Sequence, residues 1–281
     1  MKKFICIIMF MLGAFPVSAQ PQYSKDDSIK VVALLKGAPE KATPSRLMVY
    51  FARQMKGIPY VAQTLEKNAH ERLVINLRQL DCTTYVENVL ALTRCSLSGQ
   101  RSFAAFCKQL QMIRYEQGKV AYPQRLHYFS EWIADNTRKG YVKEVQAPNP
   151  PFTKVQKLDI DYMSKHASHY PMLVKHPAWT KEIQKMETRL NGKTFRYIPK
   201  ATIANTSLFR KTIHDGDIIA IITQKAGLDT SHIGIAVWHA DGLHMLNASQ
   251  IRHQVVEEPM TLYSYMKKHP SQTGIRIIRV R

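Results

Sequence analysis

The chain has 281 residues, 45% of them hydrophobic, and 40 lysines and arginines against 21 acidic residues give it a formal charge of +19. That apolar share fills a sizeable core, and with no internal repeat, low-complexity tract or Gly/Ser linker a single domain with insertions is predicted for residues 20–281. The charge favours polyanions or carboxylate-rich substrates, yet the basic residues are spread along the chain without a basic helix or an aromatic-basic motif, which sets nucleic acid aside as a partner.

Residues 1–19 run from Lys2 and Lys3 through a short apolar stretch to Val17-Ser18-Ala19. This is the order of a secretory signal peptide, and cleavage is predicted after Ala19. Gly13 and Pro16 interrupt an apolar run already shorter than the roughly 20 residues of a membrane span. Cys6 lies inside that run and not after the small-residue exit, so it does not read as a lipid attachment site. The expected product is a soluble, periplasmic monomer of charge about +17, with no stable membrane insertion. Cys82, Cys95 and Cys107 remain in it, and an odd number in an oxidising compartment leaves at least one thiol free.

Apolar spacing predicts helices near Ser28–Leu35, Ser45–Gln54, Thr83–Leu97, Phe103–Met112 and His127–Thr137, with a further one over Ile183–Leu190. Pro148-Asn-Pro-Pro151 suits a surface connection. Strand patterns then dominate: a β-branched run after Ile213-His-Asp-Gly-Asp, a clean alternation from His232 to His239, and Leu243–Ser249 beyond an Asp241-Gly242 turn. Gln254–Glu257 and Ile275–Val280 supply further strands around a short helix at Leu262–Lys267. Helices grouped before an antiparallel sheet make an α+β domain.

Two positions stand out chemically. Cys82 falls in the first turn of its helix, where Asp81 can cap; the unpaired amides and the positive helix end favour a thiolate there. Thr84 with Glu87 offers an alternative capping box starting two residues later. Cys82 shares a helix face with Tyr85, Val86 and Val89, and a buried inert thiol is the plain alternative to a nucleophile. A nucleophile needs a base, and His232 begins a strand on which Gly234 and Ala236 share its face, leaving room for a helix to dock.

A third group must fix the base. Asn247 and His244 lie on the next strand: a two-residue turn at Asp241-Gly242 puts Asn247 on the face of His232, and a three-residue turn puts His244 there. In the two-residue register Asn247 stands opposite Ala236, leaving roughly 13 Å to be closed by twist or a bulge. His166, His169 and His176 lack an accompanying carboxylate or cysteine at ligand spacing, so they read as a solvated face. No metal or other cofactor is expected.

In order along the chain, Gly57-Ile-Pro-Tyr60, Leu80-Asp-Cys82-Thr, Gly216-Asp-Ile, Ser231-His232-Ile-Gly-Ile and Leu246-Asn247-Ala-Ser resemble the NlpC/P60 cysteine peptidases, papain-like enzymes of bacterial cell-wall turnover. Arg125-Leu-His-Tyr-Phe-Ser-Glu-Trp132, Tyr197-Ile-Pro-Lys200 and Gly227-Leu-Asp-Thr-Ser-His232 are similar to the DUF1460 branch. The resemblance spans Leu47 to Arg281. It implies a papain-like fold, with an antiparallel sheet packed on the cysteine helix, and N-acetylmuramoyl-L-alanine amidase activity on peptidoglycan or muropeptides. A γ-D-glutamyl-diamino acid endopeptidase and a non-catalytic wall-binding module are the alternatives. Carried over by position, Cys82 is the nucleophile, His232 the base, Asn247 its orienting group and Tyr60 an oxyanion donor with the Cys82 amide. Asn247 stands where many members of the superfamily have a third histidine; asparagine can fill that role. Asp81, Arg125, His127 and Tyr128 are candidates for substrate binding, the arginine through a stem-peptide carboxylate and the aromatic across a sugar face.

Overall fold

A computed structural model describes residues 20–281, so the predicted signal peptide and Cys6 lie outside the described residues. Five helices come first: α1 Lys25–Lys36, α2 Pro44–Gln54, α3 Cys82–Leu97, α4 Phe103–Arg114 and α5 Phe129–Arg138. Strands β1 Val142–Val145 and β2 Lys154–Lys157 follow, then α6 Tyr162–Lys165, α7 Pro171–Lys175 and α8 Trp179–Leu190. The rest is β3 Thr194–Pro199, α9 Ser207–Thr212, β4 Ile218–Thr223, β5 Thr230–Trp238, β6 Leu243–Ser249, β7 Gln254–Glu257, α10 Leu262–Lys267 and β8 Gln272–Val280.

Local chemistry explains the helix starts. Ser24 with Asp27 closes a capping box on α1, Thr43 caps α2 ahead of Pro44, and Asp81 caps α3. On α3 the box partner is Thr84, whose amide and hydroxyl each lie 2.8 Å from Asp81 Oδ1. The alternative box with Glu87 is not formed: that carboxylate is buried and bound at 2.7 Å by Arg114. Helix α5 begins at Phe129, two residues after the predicted start, and its own N-cap, Tyr128, contributes no side-chain bond. The cap comes from far along the chain, where Asp229 Oδ2 accepts from the Ser130 amide at 2.6 Å.

All strand pairs are antiparallel, in the order β2-β3-β8-β4-β5-β6-β7, and β1 shares the outer edge of β8 with β3. The sheet is buried on both faces, which is why β4 reads Ile-Ile-Ala-Ile-Ile-Thr without alternation. Ile218, Ala220, Ile233, Ile235 and Val237 point into the core shared with α1–α5. Ile219, Ile221, Ala236 and Met245 point into a second core closed by α9 and α10. A third cluster holds the α6–α8 insertion, between β2 and β3, against Tyr122 and Tyr128.

Two expectations about β5 are corrected. The face with Gly234 and Ala236 does not receive the cysteine helix; α3 packs on the core of the opposite face. The small residues admit Met245 instead: a Cβ at Gly234 would lie 2.5 Å from Met245 Cγ and 2.8 Å from the Leu246 carbonyl oxygen. Gly234→Ala therefore forces the β5–β6 pair apart. We expect a loss of about 1–3 kcal/mol, read as a lower urea midpoint with unchanged slope.

The second correction is the hairpin. Trp238 pairs with Leu243, and His239–Gly242 form the loop, closed by a 2.8 Å bond from the His239 amide to the Gly242 carbonyl. The ladder ends at Trp238 and Leu243, and the four-residue loop beyond it carries side-chain contacts: Asp241 lies 2.9 Å from His244, and His239 lies 2.8 Å from Glu257. The register therefore moves by two residues, which keeps Asn247 on the face of His232. Ile235 pairs with Leu246, so one step on, Asn247 falls across from Gly234 instead of Ala236. The 13 Å gap shrinks to about two residues of strand, roughly 7 Å.

Candidate active site

A cavity of about 230 Å³ opens where the start of α3 meets the start of β5. Cys82, Thr83, His127, Tyr128, Asp229 and His232 line it, together with Met163 and Tyr170 from the insertion between β2 and β3. The cysteine is half-buried and unpaired; Cys95 and Cys107 are free as well, both deep in the core.

His232 enters by a local irregularity. Along β4, Ile221 pairs with His232 and Ile222 with Thr230, so Ser231 is an extra residue that bends the strand at its start. His232 Nε2 lies 3.0 Å from Asn247 Oδ1. Asn247 is fully buried, and its Nδ2 turns toward the Met245 carbonyl at 3.5 Å. Its oxygen therefore faces the ring and accepts, which puts the proton on Nε2 and leaves Nδ1 with a lone pair. Burial lowers the His232 pKa from its ordinary 6.5; the bond to Asn247 opposes that shift, and nearby His269 adds to it. The imidazole is thus neutral at pH 7. His244, the other candidate for orienting His232, points to the opposite face and bonds Glu258 and Asp241.

Burial, and then the charge of Asp81, push the Cys82 thiol up to about 12, against the pull of the Ile233 amide and the Thr83 hydroxyl and amide. At rest the pair is therefore thiol and imidazole. Tyr60 is not part of the cavity lining, but its phenol feels burial first and then the charges of Cys82 and Asp81, which push it up to about 12. It is a donor at every working pH. Backbone bonds fix it there: the Tyr60 amide to His253 and the Leu80 amide to Pro59 tie this segment between the cysteine loop and the β6–β7 connection.

The substrate-binding candidates separate. His127 lines the cavity, its Nε2 held by the Tyr122 carbonyl at 2.8 Å, and burial with the Arg125 charge drives its pKa down to about 3. It is a neutral ring with Nδ1 as acceptor. Tyr128 also borders the cavity but presents no open face: it is buried, with its hydroxyl given to Glu187 and accepting from Met163. Arg125 is corrected outright. Only 7% exposed and absent from the cavity lining, it is paired with Glu66 at 2.8 Å and Glu71 at 3.3 Å, so its charge is engaged within the fold. Asp81 has one oxygen committed to the cap. Reading the sequence missed Asp229, Met163, Tyr170 and Tyr265. Asp229 sat in the quoted Gly227–His232 motif as a capping residue type. Tyr265, on α10, packs its ring against that of His269 at 4.5 Å, lies 6.3 Å from the His232 ring and feels the Cys82 charge.

Residues 50–275 match the family model AmiA-like, described as N-acetylmuramoyl-L-alanine amidase-like. The chain belongs to this family. Among solved structures, an N-acetylmuramoyl-L-alanine amidase from Bacteroides uniformis is 37% identical, with a TM-score of 0.79 over 85% of this chain and all of the other. A Bacteroides fragilis protein named as a candidate xylanase is 38% identical, with a TM-score of 0.76 over 82% and 99%. A Legionella pneumophila protein of DUF1460 shares the fold at 23% identity and a TM-score of 0.70, over 91% and 94% of the two chains. None of the curated proteins matches. The chain is an amidase-like hydrolase with an α+β fold. No helix among the described residues is long and apolar enough to cross a membrane.

Proposed function

We propose that this amidase-like protein is a cysteine amidase with a papain-like, NlpC/P60-type active site. It cleaves the bond between N-acetylmuramic acid and the L-alanine of a stem peptide, in peptidoglycan or its muropeptide fragments. The observation that carries the reading is the cavity that joins Cys82 at a helix start to His232, whose outward nitrogen is held by Asn247. His232 Nδ1 takes the thiol proton as Sγ attacks the lactyl carbonyl carbon. The oxyanion is met by the Cys82 amide and the Tyr60 hydroxyl. The C–N bond breaks as His232 returns the proton to the alanine nitrogen, and water, deprotonated by the same ring, then hydrolyses the thioester to the free acid and thiol. His127 offers an uncharged acceptor to a substrate N–H. The basic surface suits carboxylate-bearing fragments, and the signal-like leader suits periplasmic work.

Glycoside hydrolysis, suggested by the name of the Bacteroides fragilis neighbour, fits poorly. It needs two carboxyl groups flanking the bond, and the one carboxylate lining the cavity, Asp229, has both oxygens bound to the amides of Ser130 and Thr230. The deciding test is mass spectrometry of defined muropeptides incubated with the exported chain. Intact stem peptide is expected; a dipeptide left on the sugar would reassign the enzyme to the D-glutamyl bond, and unchanged substrate would make it a binding module.

The pH profile follows from the two partners. With His232 below 6.5 and Cys82 near 12, kcat/KM should fall only on the acid side, below pH 6.5, and stay flat through mildly alkaline pH. Asn247→Ala removes the bond that raises the His232 pKa, so its acid limb should move to lower pH while the plateau drops. An acid limb that shifts upward would contradict this role for Asn247.

A further inference from the structure

The far end of the β5–β6 hairpin carries a second cluster of chemistry. His239, Asp241 and His244 each bring a donor atom to within 4.8 Å of the other two. Seven residues of strand, about 23 Å, separate His239 from His232.

The hydrogen bonds here are informative. His244 Nδ1 lies 2.8 Å from the Glu258 carbonyl, which can only accept, so that nitrogen carries a proton. Its Nε2 lies 2.9 Å from Asp241 Oδ1. In the neutral ring this sets a lone pair against a carboxylate, two acceptors with nothing between them. A proton shared with Asp241 or a bound cation each resolves the contact, and a metal takes the ring in the tautomer that the Glu258 carbonyl already selects. His239 is fixed in the same manner by a carboxylate, Glu257 at 2.8 Å, whose own charge is met by Arg53. Asp241 is 63% exposed, so the cluster opens to solvent and water can complete the coordination.

We propose that His239, Asp241 and His244 bind one divalent cation, with zinc favoured by the donors, at the tip of this hairpin. Two imidazoles and one carboxylate suit zinc and its late first-row neighbours and do not suit calcium or magnesium, which prefer all-oxygen sites. The bound ion clips β5 to β6, the two strands that present His232 and Asn247. Its role is structural, and the site stands apart from the thiol.

Calorimetric titration of zinc chloride into the full exported chain carrying Cys82→Ala, so that the cavity thiol cannot answer, tests the site. One equivalent of zinc should bind and raise the melting temperature, and calcium should do neither. His239→Gln and Asp241→Asn, both at solvent-facing positions, should each weaken binding at least about tenfold and abolish the melting shift, with far-ultraviolet circular dichroism unchanged. The proposal is overturned by the absence of saturable binding below millimolar zinc. Binding undiminished in both variants overturns it as well, since other histidines would then be the ligands.

Discussion

Cys82→Ser should lower amidase turnover by about three to four orders of magnitude while leaving substrate affinity and the melting temperature nearly unchanged. The hydroxyl fits where the thiol sits, so the fold is not at issue. The chemistry is. Burial and Asp81 hold even the thiol near 12, and a hydroxyl starts several units higher, so His232, with its own pKa depressed, is far too weak a base for it. Single-turnover release of stem peptide from a defined muropeptide, followed by mass spectrometry, reads the rate; titration with a non-hydrolysed analogue reads the affinity. A serine variant within tenfold of wild type would remove Cys82 from the mechanism. Loss of rate accompanied by an equal loss of binding would assign it to the pocket wall.

The second large effect concerns stability beneath the site. Arg114→Met should destabilise the protein by about 3–5 kcal/mol. Arg114 and Glu87 are 1% and 3% exposed and 2.7 Å apart, and Arg114 also donates to the Val74 carbonyl at 2.6 Å. Burial already pushes the Glu87 carboxyl upward in spite of its partner, so without the guanidinium it is left as a buried, unpaired acid on the helix that carries Cys82. The paired change Arg114→Met with Glu87→Leu should recover much of the loss, because an apolar pair replaces a pair that is costly to desolvate. Urea unfolding of the two variants beside the wild type measures this. A double variant no better than Arg114→Met would mean that the lost bond to Val74, and not the orphaned acid, dominates.

Much of the site could be read from local pattern. The apolar face of α3, with an aspartate ahead of Cys82, and the alternation of β5 after His232 are short-range signals, and both elements form as expected. The partnership of His232 with Asn247 was only half legible. Parity tied the face of Asn247 to the length of the turn, but the four-residue loop His239–Gly242 that sets the register has no signature in the Asp241-Gly242 pair. Arg125 misled for a related reason: the acids that neutralise it, Glu66 and Glu71, lie more than fifty residues upstream, with no periodicity linking them. The inserted helices α6 and α7 are four and five residues long. Elements that short carry no period to detect, and only packing against Tyr122 and Tyr128 defines them.

That insertion divides labour along the chain. Cys82, His232 and Asn247 belong to the helix and strands of the scaffold, whereas Met163 and Tyr170, which also line the cavity, come from an excursion between β2 and β3. Changes in residues 158–193 can reshape what is admitted without disturbing the three groups proposed to do the chemistry. On the proposed reading of cell-wall cleavage, substrate preference should therefore be written in this excursion, while the scaffold keeps the reaction constant.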